Sequence, residues 1–275
     1  MNETEIRLGV ALTVIAVLLA SERLWPIRPR YGDYWRRLAD NFLLFSSGAL
    51  LVRLLVPLTL TAVAFWVQRQ GFGLVYWFEL PFGLAFLLSW VLLDFGLYLQ
   101  HLLMHRFTML WRLHRVHHSD TDMDWTTGIR FHPGEILVSV VFKIAAVGLL
   151  GALPAAVLLF ELLLNAFSLF THSNLRIHPR VDRLLRCVLV TPAMHWIHHS
   201  KVVAESQSNF GFCLSLWDRL FRTYRGRAET ELSAIDLGVR GLGGHSAGIA
   251  SLLVQPTIAD PDADDYRIGS RQPGP

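Results

Sequence analysis

The sequence has few charged residues and almost no cysteine. Asp, Glu, Lys and Arg make up 17% of the 275 residues, against about 25% in an average soluble chain, whereas 52% of the residues are hydrophobic. This composition argues against an ordinary soluble domain and indicates a membrane protein. The two cysteines, Cys187 and Cys213, have no C-x-x-C spacing, so they predict neither a disulfide framework nor a structural zinc site.

Several functional motifs are also missing. The chain has no G-x-S-x-G elbow, no H-E-x-x-H zinc-protease motif, no P-loop and no dinucleotide fingerprint, which disfavours a hydrolase and a nucleotide-dependent enzyme. The formal net charge of +3 comes without a basic run or basic residues interleaved with aromatics, so no nucleic-acid partner is predicted. We find no haem, flavin or iron–sulfur motif either, and a redox reaction would need an external electron donor.

Five apolar runs are long enough to suggest membrane helices. The first is short, and it spans a bilayer only if Arg7 and Glu22 extend to the two interfaces. A signal peptide is the alternative for this run, but M-N-E-T-E lacks the usual basic start, which favours an uncleaved anchor. The last two runs indicate a helical hairpin that crosses the membrane fully or in part. The runs are Leu8–Ser21, Asn41–Val67, Leu80–Leu103, Ile136–Leu153 and Ala155–Thr171.

Arginine is unevenly distributed among the connecting segments. It is concentrated at 22–40, at 105–135 and beyond 172, whereas 68–79 contains only Arg69. Because basic residues are enriched in cytoplasmic loops, the three arginine-rich segments are predicted to lie on the cytoplasmic side. The segment from 172 to 236 is polar enough to form a cytoplasmic cap.

Histidines occur in three clusters with helical spacing. The stretch Trp111–Ser119 reads W-R-L-H-R-V-H-H-S, the H-x-x-H-H pattern returns in M-H-W-I-H-H-S, and an H-x-x-x-H pair precedes both. A single histidine on a helix is usually an ordinary core or surface residue, but chance does not readily explain three clusters in a chain with twelve histidines. Neutral imidazole binds iron, zinc and copper, and eight grouped ligands suggest two metal ions. The eight are His101, His105, His114, His117, His118, His195, His198 and His199.

Other polar residues lie on the same predicted helices. Asp94 shares a helical stripe with His101 and His105, and it either holds a ligand histidine in its tautomer or pairs with an arginine such as Arg53. His172 ends a second polar stripe that includes Glu161, and we expect it to be a ninth ligand. His132, in R-F-H-P-G-E, is expected to support a ligand without being one, because Pro133 breaks the local helix. His178 is expected to be a surface residue.

These stretches resemble the fatty acid hydroxylase / sterol desaturase family of integral membrane non-haem di-iron enzymes. The resemblance covers about residues 80–225. It is carried by the ordered histidine boxes together with D-F-G-L-Y-L-Q-H-L-L-M-H-R, T-T-G-I-R-F-H-P-G-E, F-T-H-S-N and N-F-G-F-C-L-S-L-W-D-R-L-F-R-T-Y. Some members have a histidine pair before the last box, whereas here serine and arginine flank His172 at positions 168 and 176.

The resemblance implies a chemistry and a set of partners. Two irons, which zinc can replace in a purified sample, would be held by histidines and would use O₂ to hydroxylate or desaturate an unactivated C–H bond of a lipid or sterol-like substrate. The lipid would enter from the bilayer, and a ferredoxin or cytochrome would supply electrons at the arginine-rich face. The competing class is a non-redox membrane zinc protein, either a hydrolase or a transporter, although transporter ligands usually lie near mid-membrane.

The sequence therefore predicts an all-α, multi-span membrane helical bundle with a cytoplasmic helical cap that carries a histidine-rich two-metal site. We expect membrane helices at 1–79, a catalytic domain at 80–236, and a mostly unstructured tail at 237–275. Within the tail, Ile249–Val254 is the one segment expected to lie on the membrane surface.

Overall fold

The computed structural model describes residues 2–242 and 248–259, and this part of the chain is helical. Between these residues β structure is limited to isolated bridges, so the prediction of an all-α fold is confirmed. The described residues also form three 3-10 helices, Trp125–Ile129, Leu232–Ala234 and Gln255–Thr257. The α-helices are α1 Glu3–Leu24, α2 Tyr34–Leu55, α3 Leu60–Gln70, α4 Leu74–Trp77, α5 Phe82–Arg106, α6 Thr108–His118, α7 Pro133–Leu150, α8 Pro154–His172, α9 Pro179–Leu185, α10 Pro192–His198, α11 Val203–Ser206, α12 Leu216–Leu220 and α13 Ile249–Val254.

Five helical segments of the described chain are long and apolar enough to cross a membrane, which makes this an integral membrane protein. They correspond to the five apolar runs of the sequence. The clustered histidines of α5, α6, α8 and α10 lie together on one side of the bundle, which we call the site end. The segments are Glu3–Leu24, Tyr34–Trp77, Phe82–Arg106, Pro133–Leu150 and Pro154–His172.

The first helix is longer than the sequence pattern predicted, and Arg7 and Glu22, which flank the predicted apolar run, both make contacts inside the protein. Arg7 turns inward, where its guanidinium donates to Glu161 at 2.5 Å and to Glu3 at 2.6 Å. Glu22 is buried, and its Oε1 accepts hydrogen bonds at 2.8 Å from the backbone N–H groups of Trp125 and Asn174. Buried acceptors of this kind are stabilised by such donors, so Glu22 ties α1 to the site end.

The sequence predicted the second apolar run as a single span. The structure instead divides it into two helices, with a break at Val56–Thr59. Pro57 explains the break, because proline has no backbone N–H and disfavours helical dihedrals in the residue before it. Val56 accordingly has φ −132° and ψ 76°. The Thr59 side chain then caps α3 by accepting from the backbone N–H of Ala62.

The membrane core lies between α3, α5, α7 and α8, where Ala64, Leu93, Val147 and Phe160 are buried together. Gly128, in the 3-10 turn that follows α6, packs directly on the backbone of α8: a Cβ at this position would lie 2.3 Å from the Ser168 carbonyl oxygen. This close approach requires glycine, and it sets the distance between the histidines of α6 and the end of α8.

A network of buried ion pairs connects α2 with the loop that follows α6. Arg37 is 4% exposed; its guanidinium donates to Asp120 at 2.8 Å and also to Asp124. Burial alone would raise the pKa of Asp120, but Arg37 and Arg130 outweigh that effect and hold the pKa below its usual value. Because the loop begins directly after His118, this network fixes the exit of α6.

The segment after α11 does not stay on top of the bundle. It descends along α5, where Trp217 packs against Phe95 with ring centroids 4.9 Å apart and Phe221 stacks on Tyr98 at 5.4 Å. Since α5 is a candidate membrane span, part of the predicted cap lies beside a membrane helix, and Leu220 of α12 is 62% exposed there.

In the described part of the tail, Ile249–Val254, the segment that the sequence analysis set apart, forms a helix. The α13 helix packs on α2, and Leu252 is buried with Leu44 and Val116. Arg115, which lies between two predicted ligands on α6, donates to the carbonyl oxygens of Gln255 and Ile258, each at 2.5 Å. The segment therefore packs against α2 and α6. The rest of the predicted tail at 243–247 and 260–275 lies outside the described residues.

Candidate metal centre

All nine histidines predicted as ligands lie at the site end, on four helices. The last two turns of α5 carry two, α6 carries three, α8 ends on one, and α10 with its C-terminal cap carries three. In α10, Thr191 caps the helix by accepting from the Met194 N–H, and Pro192 follows at the first helical position, as the sequence pattern predicts. The nine are His101, His105, His114, His117, His118, His172, His195, His198 and His199.

The nine rings form two groups, and within each group the candidate ligand nitrogens lie within 4.8 Å of one another. All nine residues are at most 9% exposed. We name them the five-histidine group and the four-histidine group. The first contains His101, His105, His114, His118 and His198, and the second contains His117, His172, His195 and His199. The three histidines of α6 are therefore divided between the groups, which places the groups side by side.

Hydrogen bonds fix the tautomers of several rings. The Nδ1 atoms of His101, His172 and His198 lie 3.0, 2.6 and 2.7 Å from the backbone carbonyl oxygens of Phe210, Ser168 and Ser208. A carbonyl oxygen only accepts, so in each case Nδ1 donates its proton. A neutral imidazole carries a single proton, and Nε2 of each of these rings is therefore left with a bare lone pair.

The bare lone pairs face one another. The Nε2 atom of His101 lies 3.1 Å from Nε2 of His114, and the proton of His114 is on the other side of its ring, where Nδ1 lies 2.6 Å from a Glu135 oxygen. Two lone pairs at this distance repel each other unless a cation lies between them. The Nε2 atom of His198 is buried without a hydrogen-bond partner. The residues present thus fit a metal ion, for which neutral imidazole is a common ligand.

The four-histidine group shows the same convergence. Nε2 of His172 lies 2.9 Å from Nε2 of both His117 and His195, and Nε2 of His195 lies 3.2 Å from that of His199. The four rings therefore direct nitrogen atoms toward a common centre, and this group fits a second metal ion.

Burial keeps the rings in the ligand form. Outside the membrane spans, burial, reinforced by neighbouring rings, lowers the pKa of His117, His118, His195 and His199 well below the ordinary value. Burial likewise lowers the pKa of His198 to about 3. These rings are neutral at pH 7, and only a neutral ring nitrogen has a lone pair for a metal.

Glu135 is the residue near the site that the sequence reasoning missed. It lies in the first turn of α7, it is 4% exposed, and it accepts the His114 Nδ1 proton. The sequence contained one indication that Glu135 lies near the site: it stands three residues after His132 in R-F-H-P-G-E. A glutamate near a helix start is usually a dipole or capping residue, and the pattern gave no reason to connect it with α6.

Asp94 contacts neither a histidine nor an arginine, and both of its predicted roles are wrong for this structure. Its two oxygens accept from the backbone N–H groups of Cys213 and Leu214, at 3.2 and 3.3 Å, and from Trp217 Nε1 at 2.8 Å. Asp94 lies about two turns before His101, which is too far along the helix axis for direct contact. It instead anchors the segment whose Phe210 carbonyl orients His101.

We therefore expect Asp94→Ala to destabilise the protein and weaken metal binding together. Three buried donors lose their acceptor, and each unsatisfied donor costs about 1–3 kcal/mol. The measurement is a thermal melt beside metal quantification in one preparation, with Glu79→Gln as an exposed carboxylate control. An Asp94→Ala protein with the melting temperature and metal content of the wild type would contradict this role.

His132 is not in contact with the ligand rings, which corrects its predicted supporting role. It caps α7: Nδ1 accepts from the Gly134 N–H at 3.1 Å, and Nε2 lies 3.2 Å from the Leu253 carbonyl oxygen. Pro133 does not break a helix here but begins one, because proline is well tolerated at the first helical position. His178 is exposed and caps α9 in the same way.

Comparison with known proteins agrees with this site. The family model described as fatty acid hydroxylase matches residues 86–223, which contain all nine histidines. The chain is 32% identical over 263 residues to ornithine lipid hydroxylase OlsE of Rhizobium tropici, with 90% of this chain and 74% of that protein covered. It is 29% identical over 136 residues to alkylglycerol monooxygenase of Homo sapiens, with 50% of this chain and 29% of that protein covered.

The chain therefore belongs to the fatty acid hydroxylase family. The alkylglycerol monooxygenase of Xenopus tropicalis is also similar, 29% identical over 148 residues, with 53% of this chain and 31% of that protein covered. This chain thus spans about a third of the alkylglycerol monooxygenases but most of the ornithine lipid hydroxylase. No solved structure matches it at a significant level.

Proposed function

We propose that this protein is a membrane-bound, O₂-dependent di-iron enzyme that hydroxylates an unactivated C–H bond of a membrane lipid. The observation that carries the proposal is the pair of buried histidine groups, in which candidate ligand nitrogens converge; in the five-histidine group the bare Nε2 atoms of His101 and His114 lie 3.1 Å apart. Membership of the fatty acid hydroxylase family supports a lipid substrate. The relatives are named as a hydroxylase and monooxygenases, which supports hydroxylation over desaturation.

The residues of the chain would hold the metals and control access to them. The five-histidine group would hold one ion and the four-histidine group the other. Bound iron would supply the O₂ chemistry, which is a property of the metal rather than of the protein. The protein contributes orientation and exclusion of water: Phe210 packs against His101 and His105 at centroid distances of 5.6 and 5.2 Å, and Phe131 stacks on His117 at 4.4 Å.

The substrate would reach the site from the bilayer. Two of the candidate spans, α5 and α8, end on ligand histidines, so the metal centre lies where the membrane helices leave the apolar core. A lipid chain beside these helices is already close to the site, whereas a soluble substrate would have to enter through the buried cap.

The reaction needs a reductant. Hydroxylation consumes the lipid C–H bond, one O₂, two electrons and two protons, and it yields the alcohol and one water. We propose that an acidic ferredoxin or cytochrome supplies the electrons. Arg176, Arg180 and Arg183 are exposed beyond the end of α8, and a cluster of this charge would steer an acidic protein to the site end.

Lipid profiling under isotopically labelled O₂ tests the function. Cells that produce the wild-type protein should accumulate a lipid that carries one labelled oxygen atom, and cells that produce His198→Ala should not. A lipid that loses two hydrogens without gaining label would instead identify a desaturase. Unchanged lipids, together with one tightly held zinc, would favour the non-redox zinc protein and overturn the proposal.

We further propose that the site end faces the cytoplasm, since the arginine-rich segments lie there. Cysteines introduced at the exposed positions Arg180 and Glu229 should react with an impermeant reagent added from the cytoplasmic side, whereas a cysteine at Gly71 should not. Cytoplasmic labelling at Gly71 and protection at the other two positions would reverse the orientation.

A further inference from the structure

Glu135 distinguishes one histidine from the other eight. Its Oε1 atom lies 2.6 Å from His114 Nδ1, and its side chain is 5% exposed. Pro133 and the His132 cap fix the start of α7, so the carboxylate is held by a defined helix turn rather than by a loop. Gly134, beside it, packs on Leu113, where an added Cβ would lie 3.2 Å from the leucine Cδ2. The first turn of α7 therefore packs directly against α6.

Seven of the other eight ligand histidines have a neutral partner or no partner at Nδ1, and His105 is among those with none. Three of them donate to neutral backbone carbonyls. In the four-histidine group, Nδ1 of His117, His195 and His199 is buried without a hydrogen-bond partner. Among the described residues, His114 is the one ligand whose Nδ1 proton goes to a carboxylate.

This difference has a chemical consequence. A carboxylate on one ring nitrogen fixes the tautomer and raises the basicity of the other nitrogen, which makes that ring a stronger metal ligand. The second oxygen of Glu135, Oε2, is buried without a hydrogen-bond partner, and no lysine or arginine of the described residues forms an ion pair with this carboxylate. The negative charge is therefore available to balance a cation held through His114.

We propose that Glu135 is a positioning residue that makes the two metal sites unequal: acting through His114, it gives the five-histidine group the higher metal affinity and the lower reduction potential. This inference rests on the proposed two-metal function. Added negative charge favours the ferric over the ferrous ion, so an iron ion held by the five-histidine group would be the more easily oxidised of the two.

Titration of the metal-free, full-length protein with Co²⁺ tests the affinity, because the visible absorption of this ion reports its coordination. The wild type should bind two ions in two steps of unequal affinity. His118→Ala should remove the tighter step, and His199→Ala should remove the weaker one. These two variants assign each step to its histidine group before Glu135 is altered.

Glu135→Gln is the decisive variant, because its amide oxygen can still accept from His114 while the charge is lost. We expect the tighter step to weaken by about 10–100-fold, the usual effect of an outer partner, and the weaker step to stay unchanged. His132→Ala is the matched control, since it disturbs the same turn without touching His114. Should Glu135→Gln fail to fold, Glu135→Asp keeps the charge at a greater distance and should weaken the same step.

Redox titration of the iron-loaded protein is a second, independent test, because it measures the reduction potential of each iron. A tenfold loss of preference for ferric over ferrous ion equals about 59 mV for one electron, and Glu135→Gln should raise the potential of only one iron. Unchanged binding and potential, equal weakening of both steps, or the same weakening in His132→Ala would overturn the proposal. Wild-type protein that binds no metal pair would instead overturn the proposed function.

Discussion

His198→Ala and His172→Ala are each expected to lose metal and abolish lipid oxidation. Each substitution removes one ligand from a different group, and the remaining rings cannot move in to replace it because they are buried on four separate helices. The loss should exceed the roughly 10–100-fold effect of an outer partner. Metal quantification and turnover, measured in one preparation of each variant, check this result.

His178→Ala is the matched control for these variants, since this histidine is exposed and caps α9. It should keep the metal content and the turnover of the wild type. Full metal content and turnover in His198→Ala or His172→Ala would remove that residue from the ligand set.

Arg37→Leu is expected to destabilise the folded protein strongly. The substitution leaves Asp120 and Asp124 buried without their main cation, and breaking a buried pair by removing one partner costs about 3–5 kcal/mol. The loop after His118 would lose its ion pairs with α2 and keep only hydrogen bonds such as that from Asn41 to Thr126, so metal retention should fall together with stability. Denaturant unfolding in a fixed detergent, monitored by tryptophan fluorescence, measures the change.

Arg36→Leu is the control for this prediction, because Arg36 is the exposed neighbour on the same helix. The effect should also depend on pH. Since Arg37 helps to hold the pKa of Asp120 below its usual value, the pair stabilises the folded state above the pKa of an unfolded aspartate, about 3.9, and this stabilisation is lost on acidification. The difference between wild type and Arg37→Leu should therefore shrink below about pH 4. A difference that is absent at pH 7 would contradict the structural role.

The histidine spacings predicted most of the candidate site. His114 and His118 lie one helical turn apart and belong to the same five-histidine group, as the periodicity requires. His117, between them, faces the other group. The pattern indicated two metals, but it did not assign the rings of α6 to them, because the assignment depends on how α8 and α10 approach that helix.

Long-range contacts account for what the sequence reasoning missed. Asp94 was expected beside a histidine because both lie on α5, yet its partners come from Cys213, Leu214 and Trp217, more than a hundred residues later. Glu135 reaches His114 only because α7 packs beside α6. Helical periodicity describes one helix at a time and contains no information about which helices meet.

The most direct test of the central claim is to locate the metals in iron-loaded wild-type protein by anomalous scattering at the iron absorption edge. The account predicts two iron positions per chain, one enclosed by His101, His105, His114, His118 and His198 and the other by His117, His172, His195 and His199. A single iron position, or two positions away from these rings, would contradict it.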